Sequence, residues 1–257
     1  ETIDQVIKTA IKSGYRLIDT ASVYRNEALI GSTLQEIFQN KVESGVKRED
    51  IFVISKLAVL ASLEQLKLDY IDLYLIHWPG TQKVALHNTI NRDNRLGSWR
   101  ALEKLYHEGR VKNIGVSNYT IRHLEELLAQ AAVPPSVLQV EYHPLYAQPD
   151  LAQFCRKHCI QLQAYSSLGQ GELLDGTFPV PLLEELAGKY QTTVAHLLLR
   201  WGLQHQAVVI PKSTHPDRIR DNLRCFDIEI SSEDMEALDN LSETLPKKFC
   251  WDPKDVM

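Results

Sequence analysis

Short apolar runs alternate with longer amphipathic segments along this chain, and each short run stops on a polar residue. The stops are Asp19, Lys56, His77, Ser117 with Asn118, Gln139, Tyr165 with Ser166, and Lys212. In the first amphipathic segment Ile3, Val6, Ile7, Ala10 and Ile11 fall on one helical stripe, and Gly14 follows as a stop. Residues 15–20 then read as a strand. The pattern continues with a helix near 26–39, strands over 51–55 and 71–76, a helix over 98–108, a strand over 112–116 and a helix over 120–130. A strand over 137–141, a helix over 149–158 and a strand over 160–164 come next. Helices near 181–189 and 193–204, a strand over 207–210, a short helix from 216 and a helix near 232–241 complete the chain.

Strands that alternate with helices pair in parallel through right-handed crossovers. A doubly wound sheet would bind a dinucleotide through a GxGxxG turn after its first strand, and the chain has none; Gly169-Gln170-Gly171 is too little. The other solution is a (β/α)8 TIM barrel, whose active site gathers residues from the carboxyl ends of many strands. That is where the polar stops would lie. Seven strands are one short of a closed barrel, and the chain opens on a helix. The expectation is one barrel domain over residues 1–257, its first strand missing or truncated upstream of Glu1. One junction is tight: residues 57–68 must supply both an active-site loop and a crossover between the strands ending at Lys56 and starting near Tyr70. Either the crossover is stunted or residues of a mobile loop are absent after Leu57, and the mobile loop is the expectation.

Composition narrows the function class. The 257 residues are 44% hydrophobic and 24% charged with a formal net charge of -5, which offers no general attraction to nucleic acid or an anionic membrane. No apolar stretch approaches the roughly 20 residues that span a bilayer. Small-molecule partners are expected, in a cytoplasmic setting where Cys155 and Cys159 are plain reduced thiols rather than half of a metal or disulfide site.

Five motifs carry a resemblance. Asp19-Thr20-Ala21-Ser22-Val23-Tyr24, Ser55-Lys56-Leu57, Leu75-Ile76-His77-Trp78-Pro79, Ile114-Gly115-Val116-Ser117-Asn118 and Ile210-Pro211-Lys212-Ser213 stand in the order of the aldo-keto reductases, and together they span nearly the whole chain. The chain resembles that family. The resemblance implies an NADPH-dependent reductase of aldehydes or ketones that works as a monomer, without metal. It assigns Asp19, Tyr24, Lys56 and His77 as a catalytic tetrad; some relatives that reduce carbon-carbon double bonds carry Glu at the His77 position, so His77 favours carbonyl chemistry. Ser117, Asn118 and Gln139 would hold the nicotinamide carboxamide, and Tyr165 would stack on the ring. Ser166 and Leu168 would meet the pyrophosphate. Lys212, Ser213, Thr214 and Arg218 would meet the adenosine 2′-phosphate, with Asp221 and Asn222 near the adenine; the family's Glu is here the shorter Asp221. Trp78 would line the substrate pocket.

The chemistry asks for these residue types. Reducing a carbonyl needs a proton donor at the oxygen, where negative charge develops. A phenol of ordinary pKa, about 10, is a weak acid for this, and a neighbouring ammonium should lower that value. Tyr24 as donor with Lys56 beside it meets the requirement, Asp19 can keep the ammonium charged, and His77 can direct the substrate oxygen. Two cations at a 2′-phosphate favour NADPH over NADH. Trp99, Trp201 and His143 read as packing residues. The alternatives are a nucleotide-binding barrel serving as a structural or regulatory subunit, which a broken tetrad would favour, and a metal-dependent hydrolase, which needs ligand clusters the strand ends lack.

Overall fold

The computed structural model describes residues 2–40 and 45–257. Its elements are α1 (Ile3–Ser13), β1 (Leu17–Asp19), α2 (Glu27–Gln39), β2 (Phe52–Lys56), α3 (Val59–Leu66), β3 (Leu73–Ile76), α4 (Ile90–His107), β4 (Ile114–Ser117) and α5 (Ile121–Leu128). They continue with β5 (Val137–Glu141), α6 (Pro149–Lys157), β6 (Gln161–Tyr165), α7 (Pro181–Lys189), α8 (Val194–Gln204), β7 (Val208–Val209), α9 (Pro216–Asp221), α10 (Ser232–Asp239) and α11 (Leu241–Thr244). Two compact units result. One comprises Glu1–Ser136, Ser213–Ile219 and Pro253–Met257, the other Val137–Lys212 and Arg220–Asp252.

In the first unit β1, β2, β3 and β4 pair in sequence, all parallel, with Asp19 beside Ile54, Lys56 beside Leu75, and Ile76 beside Val116. Val53, Ile54, Leu73, Leu75 and Val116 are almost wholly enclosed, as parallel strands covered on both faces require. The carboxyl ends carry the polar stops: Asp19 closes β1, Lys56 closes β2, His77 follows β3 and Ser117 closes β4. Local signals set the helix ends. Thr2 caps α1 in a reciprocal pair with Gln5, and Gly14 ends it at φ 109, a left-handed conformation that glycine adopts without strain.

In the second unit β5 pairs with β6 over five residues, from Val137 beside Gln161 to Glu141 beside Tyr165, and β6 pairs with β7, again in parallel. Trp201 is fully buried and its indole N–H donates to Asp239 at 2.7 Å. In the first unit Trp99 is buried likewise and donates to the Val133 carbonyl at 3.1 Å. Both are packing residues, as expected.

Two expectations change. The mobile loop expected after Leu57 is not there: the chain passes directly from Leu57 (φ 89) to Ala58 (φ -140), and the two-turn helix α3 makes the whole crossover. The stunted alternative holds. Its tightness shows at Leu57, which takes a positive φ uncommon for a bulky residue, and at Gly31 of α2, where an added Cβ would lie 2.6 Å from the backbone carbon of Leu66. The second change is α4, which starts at Ile90, eight residues before the expected helix. Its first turns are held by Asn91, whose side chain accepts from the Thr81 N–H and donates to the Ala85 and Leu86 carbonyls.

Candidate active site

Four elements of the first unit bring the tetrad together. Lys56 is wholly buried at the end of β2, and its ammonium donates to Asp19 Oδ1 at 2.7 Å, Asp19 Oδ2 at 2.9 Å and the Thr20 carbonyl at 3.0 Å. Three acceptors match the three donors of an ammonium. After β1 the buried Ala21 leads into a single 3-10 turn, Ser22–Tyr24, closed by a bond from the Tyr24 N–H to the Ala21 carbonyl. That turn puts the Tyr24 ring centroid 5.7 Å from Lys56 Nζ and 6.0 Å from the His77 ring, edge to face. Tyr24 is half-exposed. Its hydroxyl makes no hydrogen bond among the described residues and is free to meet a ligand.

The electrostatics differ from expectation at one point. Tyr24 is not made more acidic: burial first, and the Asp19 carboxylate second, push it up to about 12. Asp19 lies directly on Lys56, so the ammonium's field at the phenol is offset by a carboxylate 2.7 Å from it. Lys56 itself is lowered from its ordinary value by burial, against which Asp19 pulls it back up. His77 falls to about 4, from burial and then from the Lys56 charge. A neutral imidazole and a protonated phenol therefore stand side by side at pH 7. Both are hydrogen-bond donors.

The residues assigned to a dinucleotide are distributed over both units. In the first, Ser117 and Asn118 are nearly enclosed at the end of β4, and Asn118 Nδ2 donates to the His77 carbonyl at 3.0 Å and to Ser117 Oγ at 3.1 Å. Asn118 thereby ties the end of β4 to the end of β3. Ser213 Oγ accepts from the His215 N–H at 3.1 Å, in the turn that opens α9; Thr214 and Arg218 are exposed. Trp78 follows His77 and is part-buried, with Gly80 and Val256 close by. In the second unit Gln139 is buried in β5 and donates to Gln163 at 2.6 Å. Tyr165 closes β6, part-buried, and Ser166 and Leu168 lie in the turn that follows it. Lys212 is exposed after β7, Asn222 is buried, and Asp221 Oδ2 lies 3.0 Å from Nε2 of the buried His196.

Within each unit the donor types suit a nicotinamide cofactor. Lys212 and Arg218 are exposed cations with no anionic partner among the described residues, and Asn118 and Gln139 are amide groups of the kind that pair with a carboxamide. Among the described residues no group of three His, Cys, Asp or Glu side chains is placed to hold a metal ion, and no helix is long and apolar enough to cross a membrane.

Three residues of the site escaped the motif reading. The Thr20 carbonyl is the third acceptor of Lys56, a backbone group that carries no sequence signal. His196 lies in α8 with Nε2 3.0 Å from Asp221 Oδ2 but with no hydrogen bond made by that nitrogen, and in the sequence it reads as one more residue of a helical pattern. Glu141 is a wholly buried carboxylate two residues past Gln139, placed in a strand where its charge alone could have marked it.

Comparison with known proteins gives the family and the fold. The chain is 45% identical to glyoxal reductase of Bacillus subtilis over 249 residues, which covers 92% of this chain and 82% of that protein. It is also 45% identical to an uncharacterized oxidoreductase, YtbE, of the same organism over 253 residues, covering 93% of this chain and 83% of that protein. The solved aldose reductase of Giardia lamblia superimposes with a TM-score of 0.85 at 32% identity, over 96% of this chain and 90% of that one. The fold is the (β/α)8 barrel of these reductases, contributed here by seven parallel strands among the described residues. A model of the Aldo/keto reductase family matches residues 1–243, and the chain belongs to that family of oxidoreductases, enzymes that act on aldehydes and ketones with a nicotinamide cofactor.

Proposed function

We propose that this enzyme is an NADPH-dependent reductase of small aldehydes and ketones, quinones included, in which Tyr24 protonates the nascent alkoxide. The observation that carries the reading is the contact chain Asp19–Lys56–Tyr24–His77 within one compact unit. NADPH, when bound, supplies the hydride to the carbonyl carbon. The carbonyl oxygen is then met by two donors: neutral His77 fixes its direction, and Tyr24 gives up its proton as charge develops there. An alkoxide is a far stronger base than a phenolate, so a phenol held at about 12 is still acid enough, while it never sits ionised and repelling at neutral pH. Buried Lys56 contributes positive charge close to the phenol at the moment its proton leaves, and Asp19 keeps that charge in place.

Ser117, Asn118 and Gln139 would bind the carboxamide and Tyr165 the ring; Ser166 and Leu168 would meet the pyrophosphate. Lys212, Ser213, Thr214 and Arg218 would select the 2′-phosphate, with Asp221 and Asn222 at the adenine. The unpaired charges of Lys212 and Arg218 support NADPH over NADH. Trp78 would border the substrate, and 45% identity to a glyoxal reductase supports small carbonyl substrates. On this reading residues 1–257 act as one domain, a monomer in the cytoplasm with small-molecule partners and none among nucleic acids. The test is NADPH consumption with a panel of short aldehydes, ketones, dicarbonyls, quinones and sugars. Turnover of the short aldehydes is expected, and binding of NADPH with no turnover of any carbonyl would refute the reading.

A further inference from the structure

One buried side chain that takes no part in the reaction holds the tail of the second unit. Glu141 closes β5 with its carboxylate fully enclosed, and four donors converge on it. Oε1 accepts from His143 Nε2 at 3.1 Å and from the Phe249 N–H at 2.6 Å; Oε2 accepts from Lys248 Nζ at 2.8 Å and from the Cys250 N–H at 3.0 Å. Three of the four belong to the tail. Burial alone would raise the acid's pKa, but His143, Lys248 and the Phe249 N–H together overcome it and bring Glu141 down to about 2. The lock is charged throughout the neutral range.

The segment so fixed bears on the turn after β6. Cys250 Sγ lies 3.5 Å from Ser166 Oγ and accepts from Gln170 Nε2 at 2.9 Å. The Phe249 ring stands edge-on to His143 at 5.2 Å and sits so close to Gly169 that an added Cβ there would be 3.0 Å from it. That turn carries costly backbone conformations. Ser166 (φ 50), Gly169 (φ 57), Gln170 (φ 57) and Gly171 (φ 101) all take left-handed backbone, and for the two residues that are not glycine this conformation is intrinsically unfavourable. Two internal bonds, from the Gly169 N–H to the Ser166 carbonyl at 2.8 Å and from the Gly171 N–H to the Leu168 carbonyl at 3.0 Å, hold it from within, and the tail contacts add to them.

We propose that Glu141 is a positioning residue for cofactor retention: by holding Lys248–Cys250 it keeps the Ser166–Gly171 turn in the shape that grips the dinucleotide's diphosphate, and the dinucleotide leaves only when this tail lifts. The inference rests on the reading of Ser166 as a diphosphate contact. The experiment is release of NADPH from the intact protein, followed by nucleotide fluorescence after rapid mixing with excess NADP+, together with the equilibrium Kd. Glu141→Gln keeps the side chain's size and removes the charge. Lys248→Met removes one donor from a part-exposed site, which keeps the test open should the first variant not fold. Loss of a charged hydrogen bond predicts release about tenfold faster in each variant, with association unchanged, and Lys248→Arg should restore the slow release. Unaltered release in both variants, with only a lowered melting temperature, would overturn the inference and leave Glu141 a structural residue. A wild-type protein that binds no NADPH would overturn the cofactor reading beneath it as well.

Discussion

Replacing Tyr24 with Phe separates catalysis from folding cleanly, because of where the hydroxyl sits. The ring is half-exposed, and the hydroxyl has no hydrogen-bond partner among the described residues whose loss would strand a buried group. Folding stability should therefore move by no more than about 0.5 kcal/mol, the scale of a surface change. The ring remains in place 6.0 Å from His77, so the site keeps its shape. What disappears is the phenolic proton proposed to meet the reacting oxygen. General acid catalysis is worth roughly 10²- to 10⁴-fold, which corresponds to about 3–5 kcal/mol of transition-state stabilisation. The assay is initial-rate NADPH consumption with a short aldehyde, run beside an NADPH titration and a thermal melt. The expected pattern is a turnover loss within that range with unchanged NADPH affinity and unchanged melting. Turnover within a few-fold of wild type would refute the role of Tyr24, since no compensating donor could share its position.

Three further outcomes follow from particular contacts. Arg218→Ala should weaken NADPH by about 1.5–3 kcal/mol, as for hydrogen bonds to charged groups, and leave NADH nearly unchanged; equal losses for both nucleotides in titration would refute selection through the 2′-phosphate. Gly31→Ala should destabilise the fold by about 1–3 kcal/mol or more, because the new Cβ meets the backbone of Gln65 and Leu66, which cannot rotate away; an unchanged urea midpoint would show that α2 and α3 are free to separate. Acid should weaken the fold in two stages. His77 and His123 are held at about 4 against an ordinary 6.5, so the unfolded chain takes up protons first and stability falls as pH drops through that window. Glu141, at about 2 against 4.5, contributes stability above its unfolded value that is lost as pH falls further. A urea midpoint constant from pH 7 to pH 4 would contradict the histidine placement.

Much of the architecture was legible in the chain because two periodicities carry it. The stripe of Ile3, Ile7 and Ile11 with Gly14 behind it specified α1 to within two residues, and the apolar run before His77 specified β3. Polar stops at the ends of parallel strands marked Asp19, Lys56 and His77 for one edge, since corresponding ends of neighbouring parallel strands lie together, while Tyr24 and the grouping of all four as a tetrad came from the resemblance to the aldo-keto reductases. Where periodicity is absent the reading failed. The first turns of α4 are Asn91, Arg92, Asp93, Asn94 and Arg95, with no apolar stripe to mark them, and their helix depends on what Asn91 finds in the loop over 81–86.

Other properties belong to the folded molecule alone. That α2 packs directly against the last turn of the two-turn helix α3 depends on the absence of a Cβ at Gly31, a residue distant in sequence from Gln65 and Leu66, which it meets. The direction of the Tyr24 shift is a second case. Sequence places a lysine near a tyrosine and predicts a more acidic phenol; tertiary structure puts Asp19 on that lysine and removes water, and the sum has the opposite sign. Glu141 is the third, a carboxylate whose donors Lys248, Phe249 and Cys250 lie more than a hundred residues away. A sequence records which groups are present and the local geometry they favour. Charge interactions and desolvation depend on distances in space, and those exist only once the chain has folded.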